Sequence, residues 1–116
     1  MLPDAGQFTL EWIASWNSHD LERILSHYSV EVVVTSPMIK VALGEDSGAL
    51  AGKASVRRYW QAALEKVPDL HFELVDYAAG VDSLAIYYKS VMNRMAIEIM
   101  FFDSEGKVQE VFAHYH

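Results

Sequence analysis

The spacing of apolar residues changes near the middle of the chain, from a helical period to strict alternation. Before Pro68 it predicts three helices. The first begins at Asp4 and presents Phe8, Trp12 and Trp16 on one face. The second covers residues 21–28. The third follows Gly52, carries an apolar stripe over residues 56–67 and ends at Pro68, since a proline cannot continue a helix.

Strand signals fill most of the remaining sequence. A β-branched run at residues 30–35 predicts a strand that stops before Pro37. Alternating segments at residues 70–78, 83–92, 95–102 and 107–115 predict four antiparallel strands joined by short turns. Residues 38–51 have no clear period and are predicted to be a loop, with room for a short edge strand or a helical turn. Helices, one early strand and a meander predict a single α+β domain over residues 1–116.

Composition narrows the function classes. A chain of 116 residues with 52% hydrophobic residues can form one core. The net charge of −7 disfavours binding to nucleic acid or to anionic membrane surfaces. The absence of cysteine excludes disulfides, thiolate nucleophiles and Cys-ligated metals. The N-terminus lacks signal-peptide features, and no apolar run reaches the ~18 residues of a membrane span. A cytoplasmic protein is therefore expected.

Five motifs, taken with the order of elements, carry a resemblance to a known fold family. They are the sequences at residues 19–22 (HDLE), 34–37 (VTSP), 52–60 (GKASVRRYW), 68–72 (PDLHF) and 97–108 (IEIMFFDSEGKV). In this combination the chain resembles the nuclear-transport-factor-2-like superfamily, and within it the SnoaL-like proteins and ketosteroid isomerases. The resemblance implies a cone-shaped, cystatin-like fold in which three N-terminal helices pack on a curved, mostly antiparallel sheet. A pocket is expected at the open end of the cone.

The comparison with ketosteroid isomerases can be made residue by residue. The family's general-base aspartate corresponds to Ser36, its oxyanion-hole tyrosine to Trp12, and its protonated second acid to Glu98. Only Glu98 keeps an acid. Serine cannot abstract a carbon-bound proton unaided, so ketosteroid isomerase activity as such is disfavoured. The resemblance implies a pocket in the family's position and leaves the chemistry of that pocket open.

The predicted site depends on how two strands pair. If residues 93 and 94 form a two-residue turn, Lys89 lies opposite Glu98 and Tyr87 opposite Met100. The resemblance directs the Glu98 face of the sheet into the cone. Glu98 is the candidate acid/base, and the predicted pocket wall comprises Trp12, Ser36, Trp60, Tyr87, Lys89, Met100, Phe102, Ala113 and Tyr115.

Two interpretations of Glu98 remain open. In one, apolar surroundings raise the pKa of its carboxyl, and the protein acts without a cofactor as an isomerase, cyclase, dehydratase or hydrolase on a small, mostly apolar metabolite. In the other, Glu98 and Lys89 form an ion pair in a filled core, which lowers that pKa, and the protein is a non-catalytic module that binds a ligand or a protein. The two interpretations predict opposite pKa shifts.

The histidines give weaker signals. His71 could pair with Asp69 or Asp76 as a catalytic dyad, but alternation points it away from the cone interior. His114 and His116 lie two apart on one strand and lack a third ligand, so no metal site is predicted.

The outward face of the last two strands is also apolar. On a lone sheet such a patch usually marks an interface. It predicts a homodimer packed sheet to sheet through Ile97, Ile99, Phe101, Phe112 and His114.

Overall fold

A six-stranded sheet and four α-helices share one hydrophobic core in the computed structural model, which describes residues 2–116. The helices are α1 (Ala5–Ser18), α2 (Leu21–Leu25), α3 (Pro37–Leu43) and α4 (Lys53–Lys66). The strands are β1 (Tyr28–Thr35), β2 (Ala49–Ala51), β3 (Glu73–Gly80), β4 (Ser83–Lys89), β5 (Met95–Phe102) and β6 (Val108–Tyr115). Their order is β2-β1-β6-β5-β4-β3, and every pair except β1–β6 is antiparallel. The predicted α+β class is confirmed.

The N-terminal helices form where the periodicity predicted them. Asp4 caps α1 by accepting a hydrogen bond from the Gly6 backbone N–H at 3.2 Å, and Asp20 caps α2 in the same way. Helix α2 ends at Leu25, earlier than predicted, because Tyr28 already pairs with Val108 of β6. Within residues 2–116 the longest helices, α1 and α4, have 14 residues each, fewer than a membrane-spanning helix requires.

The predicted loop at residues 38–51 contains two regular elements, α3 and β2. Pro37 takes the first position of α3, where its missing N–H costs nothing. The Ser36 hydroxyl accepts a hydrogen bond from the Met38 backbone N–H at 3.1 Å, and Gly44 ends the helix at a φ of 67°. The Ser-Pro pair therefore starts a helix as well as ending a strand. A serine followed by a proline is a helix-start signal, and it could have predicted α3 from the sequence.

The predicted register between β4 and β5 is wrong. Glu98 lies opposite Ile86, and Lys89 lies opposite Met95. The connection is longer than a two-residue turn, because residues 91–93 form a 3₁₀ turn in which the Arg94 N–H donates to the Val91 carbonyl at 3.2 Å. A 2.7 Å hydrogen bond from the Ser90 N–H to the Arg94 carbonyl closes the loop around this turn. Compared with the predicted pairing, β4 is shifted by three residues along β5. Because three is an odd number, the residues of β4 that were predicted to face the interior face outward, and the reverse. Tyr88 therefore faces the interior in place of Tyr87.

The interior position of Ile86 gives a stability test of this register. Ile86 is fully buried, and truncation to alanine removes buried methyl groups and leaves a cavity. We expect Ile86→Ala to lower the free energy of unfolding by about 2–4 kcal/mol, measured by chemical denaturation. The control Val30→Ala truncates a side chain that is 76% exposed and is expected to cost less than about 0.5 kcal/mol. Equal effects of the two variants would contradict the observed register.

Candidate functional site

A cavity of about 170 Å³ lies between helices α1 and α4 and the inner face of the sheet. Most of its wall is apolar or aromatic, with Trp12 and Trp16 from α1, Trp60 from α4 and Phe72 before β3. The polar residues that line it are Ser36, Tyr59, Tyr88, Ser90, Glu98 and Tyr115. An engineered cavity of about 150 Å³ admits benzene, so this space is sufficient for one small ring.

Glu98 is the one acidic residue of the cavity wall, and its side chain is enclosed. The residue is 8% exposed, on an inward position of β5. Burial raises the pKa of its carboxyl from 4.5 to about 7, and a 3.1 Å hydrogen bond from the Tyr88 hydroxyl opposes part of that rise. No cation of residues 2–116 lies within ion-pair distance of Glu98. The carboxyl therefore titrates in the neutral pH range, well above an exposed glutamate.

Lys89 and Tyr87 do not belong to this cavity, in contrast to the sequence-based expectation. The Lys89 ammonium lies 3.4 Å from the carboxylate of Glu73, across the β3–β4 pair. Tyr87 lies next to Tyr88 in the strand, so it projects from the other face, and it is 38% exposed. Both corrections follow from the three-residue displacement of the register. The proposed Glu98–Lys89 ion pair is wrong.

Three tyrosines surround the Glu98 carboxyl. Burial first, and then the charge on Glu98, raise the pKa of Tyr59, of Tyr88 and of Tyr115, the last to about 12. Polar contacts of the Tyr115 hydroxyl with Ser36 and Tyr88 offset a small part of the rise. All three phenols are consequently protonated at neutral pH and can act as hydrogen-bond donors.

Trp12, Ser36 and Trp60 line the cavity, but the polar groups of the first two form hydrogen bonds within the protein, and the ring of Trp60 packs on other aromatic rings. The Trp12 indole N–H donates to the Tyr28 hydroxyl at 2.8 Å. The Ser36 hydroxyl caps α3. Trp60 packs edge to face on Trp16 and on Tyr28, with ring centroids 5.1 and 4.9 Å apart. These side chains therefore shape the wall more than they supply chemistry.

The remaining predicted wall residues separate into two groups. Ala113 and Tyr115 line the cavity. Met100 and Phe102 share the inner face but lie deeper in the core, where Phe102 packs on Phe8 at a centroid distance of 5.1 Å. Sequence reasoning missed Tyr88 as a site residue because the assumed register turned it outward. It also missed Tyr59, although Tyr59 lies on the predicted stripe of α4.

The predicted histidine sites do not form around the cavity. His71 is exposed and borders a separate, polar hollow together with Asp69, Glu73 and Lys89. No three metal-ligating side chains cluster in the described part of the chain.

The predicted interface residues lie on the opposite face of the sheet from the cavity. Ile97 and His114 are exposed, and Ile99, Phe101 and Phe112 are half-buried. Phe101 and Phe112 contact each other edge to face across β5 and β6, with centroids 6.3 Å apart. The homodimer that was predicted to pack through this apolar face stays a prediction.

Comparison with known proteins gives consistent matches over the whole domain. The SnoaL-like domain family matches residues 9–115. A SnoaL-like protein of unknown function from Burkholderia thailandensis is 48% identical in sequence. The match covers 97% of this chain and 93% of that protein, and the TM-score is 0.95. No curated protein matches the sequence.

Two more distant structures share the fold. A candidate isomerase of the SnoaL-like family from Agrobacterium tumefaciens is 14% identical, with 97% of each chain covered and a TM-score of 0.76. A protein with a cystatin-like fold from Methylobium petroleophilum is 20% identical, with 96% of this chain and 75% of that chain covered and a TM-score of 0.74. The predicted cystatin-like architecture is confirmed.

The hydrogen bond between Tyr88 and Glu98 can be tested by titration. It stabilises the ionised carboxylate, so Tyr88→Phe is expected to raise the pKa of Glu98 further above about 7. The measurement is a carboxyl-carbon NMR titration, with the Glu98 signal assigned from Glu98→Gln. Tyr87→Phe is the matched control, since it removes the neighbouring hydroxyl from the other face of the strand. A Glu98 titration that moves in Tyr87→Phe and stays constant in Tyr88→Phe would contradict the site geometry.

Proposed function

Because the chain belongs to the SnoaL-like domain family, and a buried carboxyl lines its cavity, we propose that it binds a small, mostly apolar metabolite there and acts on it with Glu98 as acid/base. The observation that carries the proposal is the combination of Glu98 burial with the lack of a counter-ion among the described residues. An ion-paired structural carboxylate would have a lowered pKa. The pKa of Glu98 is instead raised to about 7.

A carboxyl with this pKa suits proton transfer in both directions. At neutral pH its ionised form can take a proton from a carbon next to a carbonyl group, and the resulting acid can return that proton to another carbon. A phenol donor such as Tyr115 would stabilise the negative charge that develops on the carbonyl oxygen. The step needs no outside reactant, because the proton that leaves the ligand is the one that returns. These properties favour isomerisation or cyclisation within the predicted group of cofactor-independent reactions.

A non-catalytic ligand-binding module is the second candidate function. The aromatic side chains that occupy most of the cone favour it, since they leave only about 170 Å³ for a substrate and its movement during a reaction. The two candidates differ in whether Glu98 is needed for turnover or only contributes to the wall.

Replacement of the acid separates these functions. We expect the wild type to isomerise a β,γ-unsaturated cyclohexenone with Glu98, not the residue at the family's base position, as the base, whereas absence of wild-type turnover would favour the non-catalytic module. Glu98→Gln should lower the rate by about 10²–10⁴-fold, because glutamine cannot accept the proton. The conjugated product is measured by its ultraviolet absorbance. Glu31→Gln, at an exposed position of β1, is the matched control and should keep full activity. Turnover that persists in Glu98→Gln would exclude the acid/base role.

The stability of the same variant shows whether lost activity reflects unfolding. The folded protein holds the Glu98 proton up to about pH 7, whereas the unfolded chain releases it near pH 4.5. Glu98 therefore lowers the free energy of unfolding as pH rises through this window, by at most about 3 kcal/mol. Glu98→Gln should lack this decline and be at least as stable as the wild type at pH 8. If Glu98→Gln is less stable than the wild type at pH 8, its loss of activity is explained by unfolding and not by the missing acid.

We also propose that two copies pack through the apolar outer face of β5 and β6. A lysine placed there would bury an unpaired charge in the interface. Phe101→Lys is accordingly expected to convert a dimer into a monomer, measured by analytical ultracentrifugation. Val81→Lys is the control, because Val81 is 90% exposed in the β3–β4 turn. A dimer that survives Phe101→Lys would exclude this face.

A further inference from the structure

A second hollow, of about 470 Å³, lies between helices α3 and α4 and adjoins the cavity. Met38, Tyr59, Ala63 and Val67 line both spaces, so the two share part of their wall. We propose that this α3–α4 groove receives an apolar arm of the same ligand, and that the arm ends in a carboxylate. The inference rests on the proposed function, because it requires the ligand's other end to occupy the cavity beside Glu98.

The lining of the groove explains why the arm should be apolar. On α4 the groove residues recur at three- and four-residue spacing, which places them on one helix face, and Ala62 and Ala63 on that face leave room for a chain. Leu43 of α3 and Leu50 of β2 form the opposite side. Leu43 is 53% exposed, so an aliphatic chain laid against it would remove apolar surface from water.

The charges of the groove explain why the arm should end in an anion. Arg58 and Lys66 line it, and no aspartate or glutamate of residues 2–116 does, although the whole chain carries a net charge of −7. Neither cation has a carboxylate within ion-pair distance among residues 2–116. A hollow that combines apolar walls with two available cations is complementary to a fatty-acid-like arm.

Met38 is the side chain best suited to open a passage between the two spaces. Its sulfur lies 3.9 Å from an Arg94 guanidinium nitrogen, and the same guanidinium stacks over the Tyr115 ring at 5.2 Å. Methionine is unbranched and has three rotatable bonds, so its side chain adapts readily to a neighbouring group. With the passage open, cavity and groove together fall within the range of about 300–1,000 Å³ that is usual for small-molecule sites.

Three phenyl ketones test the proposal in the intact protein. Acetophenone carries the head alone, hexyl phenyl ketone adds an aliphatic arm, and ω-benzoylhexanoate adds the same arm with a terminal carboxylate. Binding is measured by calorimetry and by the fluorescence of the cavity tryptophans. We expect both long ketones to bind at least about tenfold more tightly than acetophenone, since each buried methylene adds a favourable increment.

Two sets of variants then locate the arm. Ala62→Trp fills the groove from an exposed position that does not line the cavity. It should reduce the affinity of both long ketones to that of acetophenone and leave acetophenone unchanged. The double variant Arg58→Gln/Lys66→Gln should weaken only ω-benzoylhexanoate, by about three- to tenfold at low salt. Lys40→Gln, an exposed cation of α3 outside the groove, is the matched control and should change nothing.

Each failure has a different meaning. If acetophenone does not bind the wild type, the cavity is not a ligand site, and both the proposed function and this inference are overturned. If acetophenone binds, but neither long ketone gains affinity or Ala62→Trp has no effect on that gain, only the inference is overturned. If the double variant leaves ω-benzoylhexanoate binding unchanged, the anionic end of the proposed arm is excluded.

Discussion

The interior of this domain is organised around a carboxyl group that is buried without a counter-ion among the described residues. Placing Glu98 among aromatic side chains makes its charged form costly, so the folded protein favours the protonated form up to neutral pH. One hydrogen bond from Tyr88 compensates only part of that cost. In the proposed reaction, the energy that burial costs would make the group a stronger base, because an ordinary exposed carboxyl is fully ionised and a weak base at the same pH.

The aromatic residues around the cavity hold this arrangement in place. Trp12 contacts Phe72 and Tyr88, and Trp16 contacts Trp60, at centroid distances between 5.1 and 5.9 Å. Contacts of this kind link α1 and α4 to the sheet and limit the movement of the wall. Trp12 and Ser36 stand where ketosteroid isomerases carry catalytic groups, but here both have structural contacts. The Trp12 indole donates to Tyr28, and the Ser36 hydroxyl caps α3. The polar groups near Glu98 come instead from Tyr88 and Tyr115.

The two faces of the sheet have separate proposed roles, ligand binding on the inner face and assembly on the outer face. The inner face carries the carboxyl and the phenols, while the outer face carries an apolar patch that includes Phe101 and Phe112. Helix α3 lies at the boundary of the cavity, where Met38 contributes to its wall and to that of the neighbouring groove. A ligand could therefore engage the cavity from the helix side without disturbing an assembly that uses the outer face.

Local sequence patterns were sufficient to predict the helical faces of α1 and α4, the extent of β5, and the position of Glu98 as an acid in an apolar strand. These features are local, because periodicity and the composition of one segment record which face is buried. Tertiary structure alone decided which residues surround Glu98. Met92 and Asn93 adopt positive φ values of 55° and 58° in the 3₁₀ turn, and although asparagine is enriched in that conformation, methionine gives no signal of it. The resulting odd displacement of the strand brings Tyr88 to Glu98 and sends Lys89 to Glu73, because side chains of a strand alternate between its two faces.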